Sequence, residues 1–372
     1  MPINPFKLER YFAKYEFKVK YLLSSSDCES LSMAGLIQMA SPESMELWQE
    51  LKLGYTESPG HPLLRTEVAR LYQNVPAEGV LVAAPEEAIF VAMQTMLKAE
   101  DYLVVVSPVY QSLYEIARSI GCEVSPWKLE AGQKSWQIDI DQLESLINER
   151  TRMLVINFPH NPTGHTIRGD ELEAIVRTAR EHNLYIFSDE MYRLLEPDPA
   201  IQLPAVCEIY EKGISLSGLS KAFALPGLRM GWLATQEIAL TGRWLAFKDY
   251  TTICNSAPSE ILAIIALQNK ERILQRSIDI VRENSAVAEQ FFYKHKGLFA
   301  WLKPLAGSVA FPKWLGAGSV EHFCNEALDQ QGVMIVPGSL FDFPGSHFRI
   351  GLGRKNLAEG LERVDSYLNA IP

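Results

Sequence analysis

Residues 153–189, MLVINFPHNPTGHTIRGDELEAIVRTAREHNLYIFSD, contain two short apolar runs on either side of a helix-period segment. The runs are Met153–Phe158 and Leu184–Ser188, and the segment between them is Glu171–Glu181, with apolar residues three and four positions apart. Near-continuous apolar strands joined by a helix are typical of parallel strands that are covered on both faces of a sheet. This stretch therefore predicts a strand–helix–strand unit.

The same alternation of strand and helix extends on both sides of this unit. Four more strands are predicted, at Val80–Ala83, Tyr102–Val106, Ile214–Ser217 and Met230–Thr235. Two more helices are predicted, at Ala88–Lys98 and Tyr110–Ile120. The predicted fold class is α/β, with a mostly parallel sheet sandwiched between helices.

The pattern changes after about residue 240 and indicates a second, smaller α+β unit. A long helical run is predicted from Ser259 towards Lys296, followed by three short strands and a final helix: Ser308–Phe311, Val333–Val336, Phe348–Gly351 and Leu357–Leu368. The first forty residues are expected to be mostly helical and to pack on that unit, because chain termini often lie together. The predicted division is a large domain at 41–255 and a small domain built from 1–40 and 256–372.

Composition and charge restrict the class of protein. The 372 residues are 47% hydrophobic and 22% charged, which favours a sizeable core and argues against wholesale disorder. The net charge of −10 argues against a nucleic acid or an anionic membrane as a partner over the whole surface. No uncharged run approaches the length that spans a bilayer, and the charged residues 1–20 lack the apolar stretch of a signal peptide.

The five cysteines are scattered and include no C-x-x-C pair. Neither a disulfide framework nor a zinc ribbon is therefore indicated, and no metal site is predicted. The expected location is the cytoplasm.

Polar residues stand shortly after three of the predicted strands, at the sheet edge where α/β proteins bind ligands: Asn161, Asp189, Tyr192, Ser220 and Lys221. Each alone has an ordinary explanation in turn chemistry, helix capping or a solvated lysine. Residues 218–222 also nearly match the G-x-S-x-G elbow of hydrolases, but Ala222 stands where the second glycine belongs. No histidine and acid pair is indicated for Ser220, so a hydrolase is the weaker alternative.

Several segments together resemble the class I/II aminotransferase family, whose members are pyridoxal-phosphate (PLP) enzymes of fold type I. The most specific is SGLSKAFALPGLRMGW at 217–232, which resembles the family's lysine segment. Four other segments match in the same order along the chain: GYTESPG at 54–60, NPTG at 161–164, SDEMY at 188–192 and FRIG at 348–351. The resemblance runs from about Tyr55 to Arg349, which is most of the chain.

The resemblance implies a role for each matching residue near the cofactor ring. Lys221 would hold PLP as a Schiff base and, once released, would move a proton between substrate and cofactor. Asp189 would pair with the pyridine nitrogen, which lets the ring accept electrons. Asn161 and Tyr192 would hydrogen-bond the phenolate oxygen of the ring, and Tyr110 would lie against the ring face.

The resemblance also implies how phosphate and substrate are bound. Arg229 would bind the phosphate through its guanidinium fork, and Arg349, beside Asn161, would clamp the substrate carboxylate. Tyr55 would reach the phosphate of a neighbouring subunit, which makes the protein a homodimer with its active site at the interface.

Two places depart from the family at the phosphate site. Gly218 stands where many relatives have a serine, so Ser217 or Ser220 must supply that hydroxyl. Pro85 and Glu86 begin the helix whose start would cradle the phosphate, where relatives often have small or hydroxyl residues. Pro85 has no N–H, so the backbone N–H of Glu86 is the expected donor.

The implied function is an aminotransferase that moves an amino group from an amino acid to a 2-oxo acid. A β-eliminating C–S lyase or a cyclising enzyme of the same fold stays open, because PLP stabilises a carbanion in all of these reactions. His160 is expected to be a structural turn histidine. The motifs do not encode the substrate's side chain, and residues around Ser24–Met33 are expected to shape that pocket.

Overall fold

The computed structural model describes residues 2–370. Its main sheet has eight strands: β1 (Val80–Ala83), β2 (Tyr102–Ser107), β3 (Glu123–Ala131), β4 (Trp136–Ile138), β5 (Thr151–Asn157), β6 (Tyr185–Asp189), β7 (Gly213–Gly218) and β8 (Gly231–Thr235). The spatial order is β1-β8-β7-β6-β5-β2-β3-β4. From β7 to β3 every neighbouring pair is parallel, whereas β8 and β4 are antiparallel to their neighbours.

Helices pack on both faces of this sheet and extend beyond it. Within the described residues they are α1 (Lys7–Tyr15), α2 (Met33–Ile37), α3 (Pro42–Gln49), α4 (Pro62–Ala69), α5 (Pro85–Met96), α6 (Ser112–Ile120), α7 (Ile140–Leu146), α8 (Gly169–Glu181), α9 (Val206–Ile209), α10 (Ile238–Lys248), α11 (Ala257–Gln268), α12 (Lys270–Lys294), α13 (Val320–Gln331) and α14 (Leu357–Ala370). Short strands form two small sheets: β10 (Val309–Ala310), β13 (Phe348–Gly351) and β12 (Val336–Pro337) in one, β11 (Lys313–Trp314) and β9 (Phe299–Ala300) in the other.

The apolar core lies in layers above and below the main sheet. Successive residues of a strand point to opposite faces, so Ile186 belongs to the layer of Leu172 and Ile175 in α8. Its neighbour Phe187 belongs to the other layer, with Ile89 of α5. Because both faces are covered, the central strands contain almost no exposed positions, and this explains their continuous apolar runs.

The predicted α/β class with a mostly parallel sheet is confirmed, and each strand predicted for the main sheet is present within two residues at each end. The prediction missed β3 and β4. β3 lies next to the edge strand, has mostly exposed or half-buried residues and contains Pro126, so it lacks a continuous apolar run.

Two predictions outside the main sheet are wrong. The helical run from Ser259 is divided at Asn269 (φ −115°, ψ 25°), whose side-chain amide donates to the Ile265 carbonyl and ends α11. The first forty residues are not mostly helical, since only α1 and α2 form there.

The segment before α2 is instead irregular, with a turn at residues 23–24, and lies beside β13. The Gly351 N–H donates to the Leu23 carbonyl oxygen at 2.6 Å. A Cβ at Gly351 would lie 1.6 Å from the Ser25 carbonyl oxygen, so a glycine is required for this close approach. The contact brings residues 24–27 to the carboxyl edge of the main sheet.

Within the described part of the chain no helix is both long enough and apolar enough to span a membrane. Residues 2–370 also contain no group of three or more His, Cys, Asp or Glu side chains placed to hold a metal ion.

Candidate active site

A cavity of about 530 Å³ lies at the carboxyl ends of β5, β6 and β7. Most of the residues predicted for the site line it: Pro85, Glu86, Tyr110, Asn161, Asp189, Tyr192, Ser220, Lys221, Arg229 and Arg349. Two predicted residues are not part of this lining. Ser217 is half-buried within β7, and the Tyr55 side chain is 92% exposed.

Lys221 follows β7 by three residues and points its amine into the cavity. Its Nζ donates to the Ser26 hydroxyl oxygen at 2.8 Å. Burial, with the positive charge of Arg349, lowers the pKa of Lys221, although Asp27, Glu9 and Asp189 oppose this shift. A lowered pKa gives a larger fraction of neutral amine, which is the nucleophilic and basic form.

Asp189 is the last residue of β6 and is 7% exposed. Its Oδ1 accepts a hydrogen bond from the Met191 N–H at 3.1 Å, and within residues 2–370 no cation lies within ion-pair distance of it. Burial raises the pKa of Asp189 to about 6, with the Met191 N–H and Lys221 acting against the rise. A buried carboxyl group without a cation suits a site that receives a positively charged ligand group.

The raised pKa of Asp189 predicts how the apoprotein's stability depends on pH. Between about pH 4 and about pH 6 the folded chain holds this proton more tightly than the unfolded chain, so stability falls as pH rises through that window. Above this pH window, the rise of the pKa to about 6 corresponds to a loss of roughly 3 kcal/mol in the free energy of unfolding. Asp189→Asn is therefore expected to raise the melting temperature of the apoprotein, and more at about pH 7.5 than at about pH 5.

Thermal melts of both cofactor-free proteins at the two pH values check this. The corresponding carboxyl-to-amide change at exposed Glu173, Glu173→Gln on the outer face of α8, is the control and should change neither melting temperature. An equal rise in melting temperature at both pH values, or a fall at the higher pH, would contradict the prediction.

Arg349 lies in β13, is 1% exposed, and is held by two hydrogen bonds. Its Nη2 donates to the Ser24 carbonyl oxygen at 2.8 Å, and its Nη1 donates to the Asn161 side-chain oxygen at 3.0 Å. Its Nε has no partner within the described residues. The guanidinium is thus fixed in orientation while a donor remains free for a ligand.

The part of the cavity that is predicted to bind the cofactor phosphate contains the start of a helix and an arginine. Ala84 precedes α5 without a side-chain cap, so N–H groups of the first turn stay available to an anion. Arg229 (φ 55°) ends a turn after β7, and its Nη1 donates to the Pro226 carbonyl oxygen at 3.2 Å. Burial raises the pKa of Glu86 to about 7, which reduces the negative charge of this carboxyl group near the helix start.

The structure gives a steric reason for Gly218, where many relatives have a serine. A Cβ at this position would lie 2.9 Å from the Cα of Gly231 and 3.3 Å from Pro85 Cγ. A side chain at 218 would therefore push the β7–β8 pair and α5 apart. Of the two hydroxyls considered in its place, that of Ser220 lines the cavity and that of Ser217 does not.

Several residues that the motifs did not indicate also line the cavity. Ser25, Ser26 and Asp27 belong to the stretch expected to shape the substrate pocket, whereas Met33 of that stretch is 58% exposed at the start of α2. Sequence reasoning missed one face of α1 and Arg354: Phe6, Leu8, Glu9, Phe12, Glu16 and Arg354. The available signal was the helical spacing of Leu8, Phe12 and Glu16.

The residues present fit the cofactor that the resemblance implies. Buried polar atoms cost free energy when they lack partners, and four such atoms belong to the lining: Tyr192 OH, Ser220 Oγ, Arg349 Nε and Arg354 Nε. PLP has an aldehyde for an amine, a ring nitrogen for a carboxylate, and phenolate and phosphate oxygens for hydroxyl and guanidinium donors. Lys221, Asp189, Tyr192, Ser220 and Arg229 offer this set of groups.

Comparisons with known proteins give one consistent family. The family described as "Aminotransferase class I and II" matches residues 20–364. Capreomycidine synthase from Streptomyces vinaceus is 27% identical over 99% of this chain and 93% of its own. The crystal structure of a PLP-dependent aminotransferase from Streptococcus suis 89-1591 has a TM-score of 0.93 and 31% identity, covering 100% of this chain and 99% of its own. The PLP-dependent cyclase OrfR has a TM-score of 0.90 and 26% identity, covering 99% and 98%.

Proposed function

The chain belongs to the class I and II aminotransferases, and on that basis we propose how its own residues perform the reaction. It is a PLP-dependent enzyme that moves an amino group between an amino acid and a 2-oxo acid. The observation that carries the assignment of roles is the presence, in one cavity, of a lysine amine, a buried carboxyl group without a cation and a buried arginine with a free donor.

Five groups are proposed to hold the cofactor: Lys221 Nζ, the Asp189 carboxylate, Tyr192 OH with the Asn161 side chain, Ser220 with the start of α5, and Arg229. When bound, the cofactor supplies an electron-accepting ring that stabilises the negative charge left on the substrate α-carbon. Asp189 keeps that ring protonated through its carboxylate. Tyr110 and Pro85 line the same cavity and restrict the cofactor's position.

Lys221 is proposed to be the base that takes the α-proton of the substrate and later returns it at Nζ. The hydrogen bond from Nζ to Ser26 Oγ gives the free amine a defined resting position. Arg349 is proposed to bind the substrate's α-carboxylate through Nε and the second hydrogen of Nη2, since the Ser24 carbonyl and Asn161 already hold the other side of the guanidinium. Fixing the carboxylate fixes which bond of the α-carbon is presented to the base.

A cyclisation is the second candidate, which the similarity to capreomycidine synthase and to the cyclase OrfR favours, and a β-elimination stays open beside it. The two candidate reactions differ in whether they need a 2-oxo acid to accept the amino group. An aminotransferase converts only about one equivalent of amino donor per site when no 2-oxo acid is present, because the amino group stays on the enzyme. The test is to measure donor consumption and ammonia release with and without a 2-oxo acid, and repeated turnovers without acceptor would contradict transamination as the main activity.

We also propose that the working form is a homodimer in which Tyr55 binds the phosphate in its partner's site. Tyr55, Leu53 and Tyr250 are 92%, 86% and 90% exposed, and exposed large apolar side chains of this kind often mark interfaces. The proposed division into 41–255 against 1–40 and 256–372 is supported by the main sheet, which falls within the first range. A cytoplasmic location is supported by the five cysteines, all described and all free.

Subunit complementation tests the role of Tyr55. Tyr55→Ala is expected to lower kcat/KM by about 10-fold or more, because a charge-assisted hydrogen bond to phosphate is lost. In a mixed dimer of Tyr55→Ala and Lys221→Ala chains, one site would contain both native residues if Tyr55 acts across the interface. Differently tagged chains should therefore recover activity on mixing, and a mixed dimer with no recovery would contradict the proposal.

A further inference from the structure

One wall of the cavity is a face of α1 that carries two carboxylates. Glu9, Phe12 and Glu16 are three, four and seven residues apart, so they lie on the same side of the helix. Glu16 follows the last residue of α1 in helical conformation, and all three residues line the cavity. The wall thus offers an aromatic ring between two acidic groups.

Neither carboxylate forms a direct ion pair with a cation of the protein. Within residues 2–370, no Lys, Arg or His nitrogen lies within 4.0 Å of Glu9 or Glu16 in an ion pair. Glu9 accepts a hydrogen bond from Tyr110 OH at 2.8 Å, which leaves its other oxygen free. Burial, together with the negative charges of Asp27 and Glu9, raises the pKa of Glu16, although the positive charges of Arg354 and Lys221 act against the rise.

The cations that line the cavity are committed to other groups. Arg354 donates to Asp27 Oδ2 at 2.9 Å and forms an ion pair with it. Lys221, Arg229 and Arg349 are the groups proposed above for the cofactor and for the substrate's α-carboxylate. Glu9 and Glu16 are therefore the lining carboxylates of α1 that have no ion-pair partner of their own.

Two buried donors without a partner show that the cavity as a whole is built to bind a ligand. Tyr192 is 2% exposed and its hydroxyl has no partner, and Arg349 is 1% exposed with an unpartnered Nε. Both groups line the same cavity as Glu9 and Glu16. The acidic groups are thus part of a formed binding site and not an isolated cluster on the surface.

We propose that the substrate is an amino acid whose side chain ends in a cationic nitrogen group, an amine or a guanidine, bound by Glu9 and Glu16. The inference rests on the proposed function, since it uses Arg349 as the partner of the α-carboxylate. Phe12 provides the apolar surface along which the methylene groups of a long basic side chain pack. The same carboxylates repel a side-chain carboxylate, so dicarboxylic amino acids are disfavoured.

The test compares amino donors of similar shape that differ in charge. The holoenzyme, with a 2-oxo acid acceptor, is offered lysine against norleucine and arginine against citrulline, with aspartate and glutamate as acidic donors. We expect kcat/KM to be about 10- to 100-fold higher for the charged member of at least one pair, as for other charge-assisted contacts. The lysine and arginine arms distinguish an amine from a guanidine.

Glu9→Gln and Glu16→Gln are expected to lower the ratio of charged to neutral donor by about 10-fold each. The matched control is Glu173→Gln on the outer face of α8, which should leave the ratio unchanged. If the two residues had a role in structure alone, their substitution would lower kcat/KM equally for the charged and the neutral donor. An unchanged ratio would therefore overturn the assignment of these two residues. The visible absorbance of bound PLP reports that each variant is folded.

The remaining outcomes separate this inference from the function on which it rests. Equal rates for the two members of both pairs, no conversion of either lysine or arginine, or preference for aspartate or glutamate would overturn the inference. If one of these outcomes is found but the enzyme still transaminates other amino acids, only the inference fails and the proposed function stands. A protein that takes up no PLP and converts no amino acid overturns both.

Discussion

Lys221→Ala is expected to abolish the visible absorbance of the PLP-loaded protein and to lower turnover by about 10⁴-fold. Two functions are lost together, the amine that links to the cofactor aldehyde and the base that moves the α-proton. Among the described residues that line the cavity, Lys221 is the only lysine, so no neighbouring amine can replace it.

The link can be located directly. Borohydride reduces a carbon–nitrogen double bond to a stable amine, so mass spectrometry of the digested protein should find the cofactor on the peptide that contains residue 221. Lys128→Ala, an exposed position of β3, is the matched control and should retain absorbance and activity. A label on another lysine, or normal absorbance in Lys221→Ala, would contradict the role given to this residue.

Asp189→Asn is expected to lower turnover by about 10³-fold while the cofactor remains attached to the protein. The amide has nearly the same shape and can keep the hydrogen bond from the Met191 N–H, but it cannot hold the ring nitrogen in its protonated form. The loss should therefore fall on kcat for every amino donor, with little change in cofactor content.

A cofactor analogue methylated at the ring nitrogen provides the decisive comparison. Its positive charge is fixed, so it does not depend on a carboxylate, and it should restore part of the activity of Asp189→Asn. Asp189→Glu, which keeps the carboxylate but lengthens its side chain, should lose less activity than Asp189→Asn. Full activity of Asp189→Asn with ordinary PLP would contradict the proposed pairing.

The Asp189→Asn variant also separates the residue's role in activity from its effect on the stability of the fold. The buried carboxyl group of Asp189 has its pKa raised to about 6 by desolvation and destabilises the folded apoprotein at neutral pH. A substitution that stabilises the empty protein and removes its activity is the expected sign of a residue kept for chemistry.

Much of the main sheet could be predicted from the sequence, because its central strands are buried on both faces. β5, β6 and β7 appear as largely apolar runs, and the polar site residues stand at or just beyond their ends: Asp189 is the last residue of β6, and Lys221 follows β7 by three residues. β3 could not be predicted in this way, because its exposed positions alternate with buried ones and no continuous run results.

The helical spacing of Leu8, Phe12 and Glu16 indicates a helix face, but the position of that face in the cavity was not predictable, because it depends on contacts between distant parts of the chain. Glu9 reaches the cavity through packing of α1 near Tyr110, 101 residues away, and no local pattern reports that contact. Gly218 is a similar case: the sequence shows a departure from the family, but only the 2.9 Å approach to Gly231 explains it.

The bond between Arg349 and the Ser24 carbonyl joins residues 325 positions apart. During synthesis, the ribosome therefore adds the second partner 325 residues after the first. A nascent chain can contain Lys221 and Asp189 and still lack the groups that grip an amino acid. A premature stop codon upstream of 349 would leave the same incomplete product, so the substrate grip proposed for Arg349 cannot form until both of these distant segments have been translated.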